Sequence, residues 1–493
     1  VPELTPKWAW IDAAMTPDGQ QGWLLHDDGF DPLRESSRQS RYAISNGFLG
    51  IRATRTLNRT GGPVPYTSVA GLFDVPGLEQ PIPQLMPAAD WLQLNIRAAT
   101  TTAIMDRFDL SKHCRQLDLH RGALHIDCHV SGPDTPTFNL QTLRLVSLAD
   151  RRVGLQLMRV AAGPDGEHIR IEASFAGLDL GLVSCRREQN EAAWHTRVSG
   201  KGLAVAAWVS LHSGDDELPA TAAGPFRWVW DWQAKPGAVA YLQRLVCFAR
   251  TDMAGTDPAA EARTALAAAH GAGCRAVLAS HAAAWSHRWQ NSDVTVDGDP
   301  AAQHALRFAI YHLNGAANPD DERVSVGARA LTGADYNGHV FWDTEIFLLP
   351  FYSLTWPQAA RAMLMYRFHT LDEARAKASR LGWRGALYAW ESADTGADAT
   401  PEHAIGPDRR VVEILCGTQE QHIAADIAYA VWQYWQATAE DEFLRHAGCE
   451  ILLEIARFWI SRAVPEPDGY SHIRGVIGPD EYHESIDDNA FTN

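Results

Sequence analysis

Three short segments in the second half of the chain set carboxylates beside aromatic rings, with Gly or Pro close by. They are "GHVFWDTE" (Gly338 to Glu345), "YAWESADTG" (Tyr388 to Gly396) and "GPDEYH" (Gly478 to His483). The last opens a run of five carboxylates, Asp480, Glu481, Glu484, Asp487 and Asp488, with Pro479 and Tyr482 bracketing the first pair. These residue types suit the cleavage of an acetal. A carboxylic acid protonates the departing oxygen, and a shaped pocket holds the sugar, with hydroxyls on carboxylates and a ring face on an aromatic. Taken alone, each segment is about as well read as a buried aromatic beside a helix-capping acid. The acids at 480–488 fit a solvated loop equally well. His339, His369, His403, His422 and His483 show no HExxH-like spacing, so hydrogen bonding is expected of them and no metal. No P-loop, GxGxxG or GxSxG is placed correctly, which sets aside nucleotide and serine-hydrolase chemistry.

Two kinds of element must position these segments. From about residue 35 to 250 the pattern has period two: Leu124, Ile126, Cys128, Val130; Val153, Leu155, Leu157; Ile169, Ile171, Ala173, Phe175. Turn signals such as "SGPDTP" and "AGPDGE" separate the runs, which predicts an antiparallel β-sandwich. Asp257 and Pro258 then open an Ala-rich helical stretch, and Trp285 and Trp289 share a face of a second helix. This predicts a helical linker. Beyond about residue 299 the period is helical. Ala302, Leu306, Ala309, Ile310 and Leu313 form one stripe, stopped by Gly315. A helix led by Thr355 and Pro357 carries Ala360, Met363, Leu364, Leu371, Ala374 and Ala378 inward. "TQEQ" at 418–421 reads as a capping box for Ile423, Ile427, Ala430, Val431 and Tyr434, and a last helix runs from about 441 to 462.

The chain has 493 residues, 46% hydrophobic and 21% charged, enough for two or three domains with sizeable cores. A net charge of −17 argues against nucleic acid and against anionic membranes. The seven cysteines are scattered, with no CxxC pair, so buried free thiols and a reducing, cytoplasmic setting are expected. No transmembrane-length apolar run occurs.

Several long strings, in order, carry a resemblance: "RYAISNGFLGIRATR", "GHVFWDTEIFLLPFY", "YRFHTLDEARAKASRLGWRGALYAWESADTG", "HIAADIAYAVWQYW", "ARFWISR" and "GPDEYHESIDDNAFTN". From about residue 35 onward the chain resembles glycoside hydrolase family 65, a family of inverting α-glucosidic disaccharide phosphorylases with some hydrolases. The resemblance implies an N-terminal β-sandwich domain over 1–253, a helical linker over 254–298, and an incomplete (α/α)6-barrel catalytic domain over 299–493. By matching motifs, Glu481 corresponds to the general acid, and Trp342, Asp343, Trp390, Glu391 and Thr418 to the glucose pocket. It implies a disaccharide substrate, inorganic phosphate as co-substrate with no cofactor, and a homodimer built through the sandwich. Family members continue with further barrel helices, a Lys-Gln motif and phosphate-holding loops, so an incomplete site is expected in this chain. The expected reaction is inverting phosphorolysis to β-glucose 1-phosphate and a free sugar. The alternatives are an inverting hydrolase, with a second carboxylate activating water, and a non-catalytic carbohydrate-binding protein.

Overall fold

The computed structural model describes residues 7–17, 19, 22–29, 31, 33–54, 65–76, 81–98, 109–132, 135–178, 181–251, 257–333, 335–405, 409–481 and 483–492. Tyr482, part of the "SGPDTP" turn and the start of the helical linker lie outside the described residues. Contacts divide the chain into two compact units. One comprises Val1–Leu72, Met86–Ala316 and Leu331–Gly333; the other comprises Phe73–Leu85, Ala317–Ala330 and Ala334–Asn493.

The first unit is a β-sandwich. Its larger sheet is antiparallel, in the order Leu24–Asp28, Asp109–Asp118, Ala123–Gly132, Thr135–Val146, Val153–Ala162, Val239–Arg250, Gly202–Ser213, Glu191–His195 and Val183–Arg187. A second sheet joins Thr221–Ala222, Arg227–Ala234, Glu167–Ala176 and Asp90–Ala98. Ile169, Ile171, Ala173 and Phe175 are buried in alternation along Glu167–Ala176, as the period of two requires. Between the sheets the Trp91 ring lies on Gly154, where an added Cβ would come 2.7 Å from the indole. The carbonyls beside that ring are met by buried polar side chains of the larger sheet. Arg244 donates to Trp91 and, at 3.1 Å, to Gln93, while Gln156 Nε2 donates to Leu92 at 3.3 Å.

The strand Val153–Ala162 departs from simple alternation and is buried on both faces. Its outer face is covered by the linker helices Pro258–Ala272 and Cys274–Ser292, whose Ala265, Ala269, Cys274 and Val277 pack on Leu143, Leu155 and Leu245. Asp257 caps the first of these, its Oδ1 accepting from Ala259 N at 2.9 Å. Trp285 and Trp289 share a face with ring centroids 6.2 Å apart, and Trp285 stacks on Tyr311 at 4.9 Å. Tyr311 belongs to the helix Pro300–Ala316, which packs with this first unit. Gly315 does not stop that helix. It lies inside it, where a Cβ would sit 2.9 Å from the Ser45 carbonyl oxygen, so its role is close approach.

The second unit is helical, the first part of a barrel of helices: Leu349–Thr355, Pro357–His369, Leu371–Arg380, His422–Thr438 and Cys449–Arg462. The apolar stripes expected from residue 357 onward are its core; Met363, Leu364, Leu371, Ile423, Ile427, Val431, Ile451, Ile455 and Phe458 are all buried, whereas of the stripe expected over 302–313, in the first unit, Ile310 is buried and Ala302 and Ala309 are exposed. One helix expected from 357 onward is two, broken at Thr370, whose hydroxyl donates back to Tyr366 O at 2.9 Å. The last helix runs from Asp441 to Arg462, as expected, with a π-helical turn at Leu444–Gly448 after its first three residues. Among the described residues no helix is long and apolar enough to cross a membrane. No disulfide joins the cysteines among the described residues, but only Cys114, Cys128, Cys247 and Cys274 are buried; Cys185 and Cys449 are exposed.

Candidate active site

All three chemistry-bearing segments lie in the second unit. The first two are fastened together by an antiparallel bridge. Val340 N donates to Ser392 O at 2.9 Å and Ser392 N to Val340 O at 3.1 Å. Tyr366 adds a hydroxyl contact to Ser392 Oγ at 2.9 Å, and Gly396 (φ 78°) lets the second loop pass against Thr370. Below the first segment a buried ion pair anchors its helix. Arg367 donates from Nε and a terminal nitrogen to the two carboxylate oxygens of Glu345 at 2.7 and 2.8 Å, and reaches Phe341 O at 3.1 Å.

This framework brings Trp342 and Trp390 nearly parallel, ring centroids 6.5 Å apart. Trp390 is buried and Trp342 half-buried, while Asp343 projects outward at the start of a π-helical turn. Glu391 is held by the fully buried His339: Nδ1 lies 2.8 Å from Glu391 Oε2, and Nε2 lies 2.6 Å from Pro83 O. Because the Pro83 carbonyl only accepts, the Nε2 proton is spent there. The contact of Nδ1 with Glu391 Oε2 is then a hydrogen bond through one further proton held between the two atoms.

The third segment is a loop pinned at several points. Val476 and Ile486 exchange hydrogen bonds of 3.0 and 2.9 Å. Gln419 grips the loop from both sides. Its carbonyl accepts from Ile477 N at 3.0 Å, and its side chain accepts from Ser485 N at 2.8 Å and donates to Ser485 Oγ at 3.0 Å. Asp487 and Asp488 order the loop through Gly475 N and Ile473 N, each at 3.0 Å, and Asp480 pairs with His483. The capping side chain after the loop is Asn489, which accepts from Phe491 N and Thr492 N.

Glu481 stands at the turn of this loop with φ 59°, and Ser485 and Asp488 share the left-handed region. Non-glycine residues held there carry strain that the surrounding contacts must sustain. Partial burial raises the proton affinity of the Glu481 carboxyl, and Asp343 and Glu391 raise it further by charge, while His422 opposes them. Trp342, Trp390, Asp343, Glu391 and Glu481 therefore form one electrostatic and aromatic neighbourhood. Thr418 is differently placed. It is exposed, and its hydroxyl donates to Leu415 O at 3.1 Å. The capping box expected at 418–421 does not form, because Thr418 lies inside the short helix Cys416–Gln419; the residue preceding the longer helix is Gln421.

Two further groups belong to this neighbourhood, one a histidine read from sequence only as a hydrogen-bonding residue and one not singled out at all. His422 is buried edge-on to Trp342 and Trp390, centroids 5.0 and 5.5 Å away, and its Nδ1 lies 2.6 Å from Asp426 Oδ2. A polar pair at i and i+4 on an otherwise apolar helix stripe was the available signal. The other is Glu420, fully buried, with neither carboxylate oxygen hydrogen-bonded among the described residues. The Cys416 thiol lies beside it without reaching hydrogen-bond geometry. Burial first, then the charges of Glu481 and Asp480, push the Glu420 carboxyl up to about 8.

A carboxyl raised in the folded state helps stability most below its unfolded value, and that help is lost as pH rises through about 8. Glu420→Gln is therefore expected to gain on the parent between pH 4.5 and 8, by about 1–3 kcal/mol after solvent screening. Urea midpoints followed by tryptophan fluorescence at the two pH values check this. An unchanged difference between them would show an ordinary carboxylate.

Comparison with known proteins agrees over nearly the whole chain. The description "Glycosyl hydrolase family 65, N-terminal domain" matches residues 25–288, and "Glycosyl hydrolase family 65 central catalytic domain" matches residues 307–493. A kojibiose phosphorylase of Caldanaerobacter subterraneus subsp. tengcongensis is 31% identical over 96% of this chain and 65% of its own length. A kojibiose hydrolase of Flavobacterium johnsoniae is 42% identical over 44% of this chain and 30% of its own. A solved structure from the human microbiome, a candidate kojibiose phosphorylase, superposes with TM-score 0.83 at 20% identity, covering 97% of this chain and 65% of that one, and so shares the fold. The chain spans about 64% of the length of a further matching kojibiose phosphorylase, from Thermoanaerobacter brockii. The chain belongs to glycosyl hydrolase family 65.

Proposed function

We propose that the protein carrying this sequence is an inverting phosphorylase of an α-glucosidic disaccharide. The observation that carries the reading is Glu481, held on a strained, many-point-pinned turn with raised proton affinity, facing the charges of Asp343 and Glu391. Glu481 gives its proton to the glycosidic oxygen as hydrogen phosphate attacks the anomeric carbon from the opposite face. The C–O bond to the leaving sugar breaks and a C–O bond to phosphate forms, giving β-glucose 1-phosphate. The proton brought by hydrogen phosphate returns through solvent to the Glu481 carboxylate. Asp343 and Glu391 accept sugar hydroxyls, Trp342 and Trp390 supply the apolar wall, and Thr418 lies at its edge. Phosphate is already a competent nucleophile, so no second catalytic carboxylate and no cofactor are needed.

Relatives named kojibiose, nigerose, 1,2-alpha-glucosylglycerol and alpha,alpha-trehalose phosphorylase support the reaction class. The relative named as a hydrolase supports the second reading, an inverting hydrolase on the same scaffold. We also propose the domain division at 253 and 298, assembly as a homodimer, and a cytoplasmic location. The deciding assay incubates the complete protein with kojibiose, nigerose, maltose and trehalose, with and without inorganic phosphate. Glucose 1-phosphate formed only with phosphate is the expected result. Glucose released at the same rate without phosphate would assign the hydrolase instead.

A further inference from the structure

At one edge of the larger sheet, three different metal-ligating side chains share a face. His26 and Asp28 are alternate residues of the edge strand Leu24–Asp28 and so point the same way. Cys114, on the neighbouring strand Asp109–Asp118, is the register partner of Asp28, and Gln116 is the register partner of His26. One ligand atom from each of His26, Asp28 and Cys114 lies within 4.8 Å of the others. His26 Nε2 is 2.7 Å from Asp28 Oδ2, Cys114 Sγ is 3.7 and 4.0 Å from the two ring nitrogens, and Gln116 Nε2 is 3.1 Å from His26 Nδ1.

We propose that His26, Asp28 and Cys114 form a site for a single thiophilic divalent cation of the zinc type. A nitrogen, an oxygen and a sulfur donor suit an ion of borderline softness, and three protein ligands leave a fourth tetrahedral position for water. Two donors about 2.0–2.3 Å from a shared metal stand roughly 3–4 Å apart, which the sulfur–nitrogen separations of 3.7 and 4.0 Å meet, while the 2.7 Å contact of His26 with Asp28 must open to admit the ion. Closing on the ion takes rotation of His26 and Asp28, both exposed, while the buried Cys114 is the fixed member. Gln116 sits where an outer partner of the histidine belongs. By turning its amide it presents an oxygen to Nδ1–H and fixes the tautomer that leaves Nε2 for the metal. Binding exchanges the thiol proton, released to solvent, for the metal–sulfur bond, with no change of oxidation state. The site belongs to the sandwich and stands apart from the sugar site in chemistry.

Cobalt(II) is the probe. Titrated into the reduced protein, it is expected to bind at one equivalent and to give the near-ultraviolet sulfur-to-cobalt charge-transfer band. Zinc is expected to displace it and to raise the unfolding temperature. Cys114→Ser should abolish the band, and His26→Ala, at an exposed position, should weaken binding at least tenfold; both should lose the zinc-dependent thermal shift. A band that survives in Cys114→Ser, or cobalt binding unchanged in His26→Ala, would overturn the proposal. So would the absence of stoichiometric binding in the parent.

Discussion

Glu481→Gln is expected to lower disaccharide cleavage by about 10²–10⁴-fold, the usual worth of a positioned general acid. The substitution keeps the side chain's size and removes only its proton, so sugar binding should survive, read as quenching of Trp342 and Trp390 fluorescence. The pH profile gives a sharper check. Because burial, Asp343 and Glu391 all raise the Glu481 proton affinity, the alkaline limb of the rate should lie above the ordinary carboxyl range. Asp343→Asn removes one of those charges, so the acid should ionise at lower pH and the limb should move down. That shift is independent of how much rate Asp343 contributes by holding a hydroxyl. Full turnover in Glu481→Gln would take the acid away from this residue.

The second large effect is on stability. Arg367→Ala leaves Glu345 as an unpaired charge in a site where both partners are buried, and about 3–5 kcal/mol should be lost. The pair itself is worth far less than this, because its attraction mostly offsets the cost of drying both groups. Replacing both together, Glu345→Leu with Arg367→Met, should therefore recover most of the loss. Urea unfolding of the two variants separates the cases. A loss below about 1 kcal/mol in Arg367→Ala would mean that water reaches Glu345 and that the pair behaves as a surface bridge.

The sequence revealed the sandwich and the helical stripes because both rest on periodicity. It could not reveal that Val153–Ala162 is buried on both faces, because the covering helices come about a hundred residues later in the chain. Nor could it show why Gly315 is glycine, since the reason is the backbone of Ser45. Local rules failed where a helix boundary lies elsewhere than the spacing suggests. Thr418 fits a capping box by spacing, yet it lies inside the short helix Cys416–Gln419, and the longer helix starts only after Gln421. In the site, the aromatic–carboxylate segments were visible because their composition is unusual. Glu420 was not, and His422 was read only as a hydrogen-bonding histidine, because neither stands out at a helix start until its burial is known.

The grip of Gln419 on the third loop bears on transplantation. The string from Gly478 to His483 does not aim its glutamate by itself. The aim comes from a residue some sixty positions earlier, whose backbone carbonyl holds Ile477 and whose side chain holds Ser485. Grafted alone onto another scaffold, the hexapeptide would keep its letters and lose its bearing. The smallest portable piece is the loop together with the turn that carries Gln419, two stretches of chain that must travel as one.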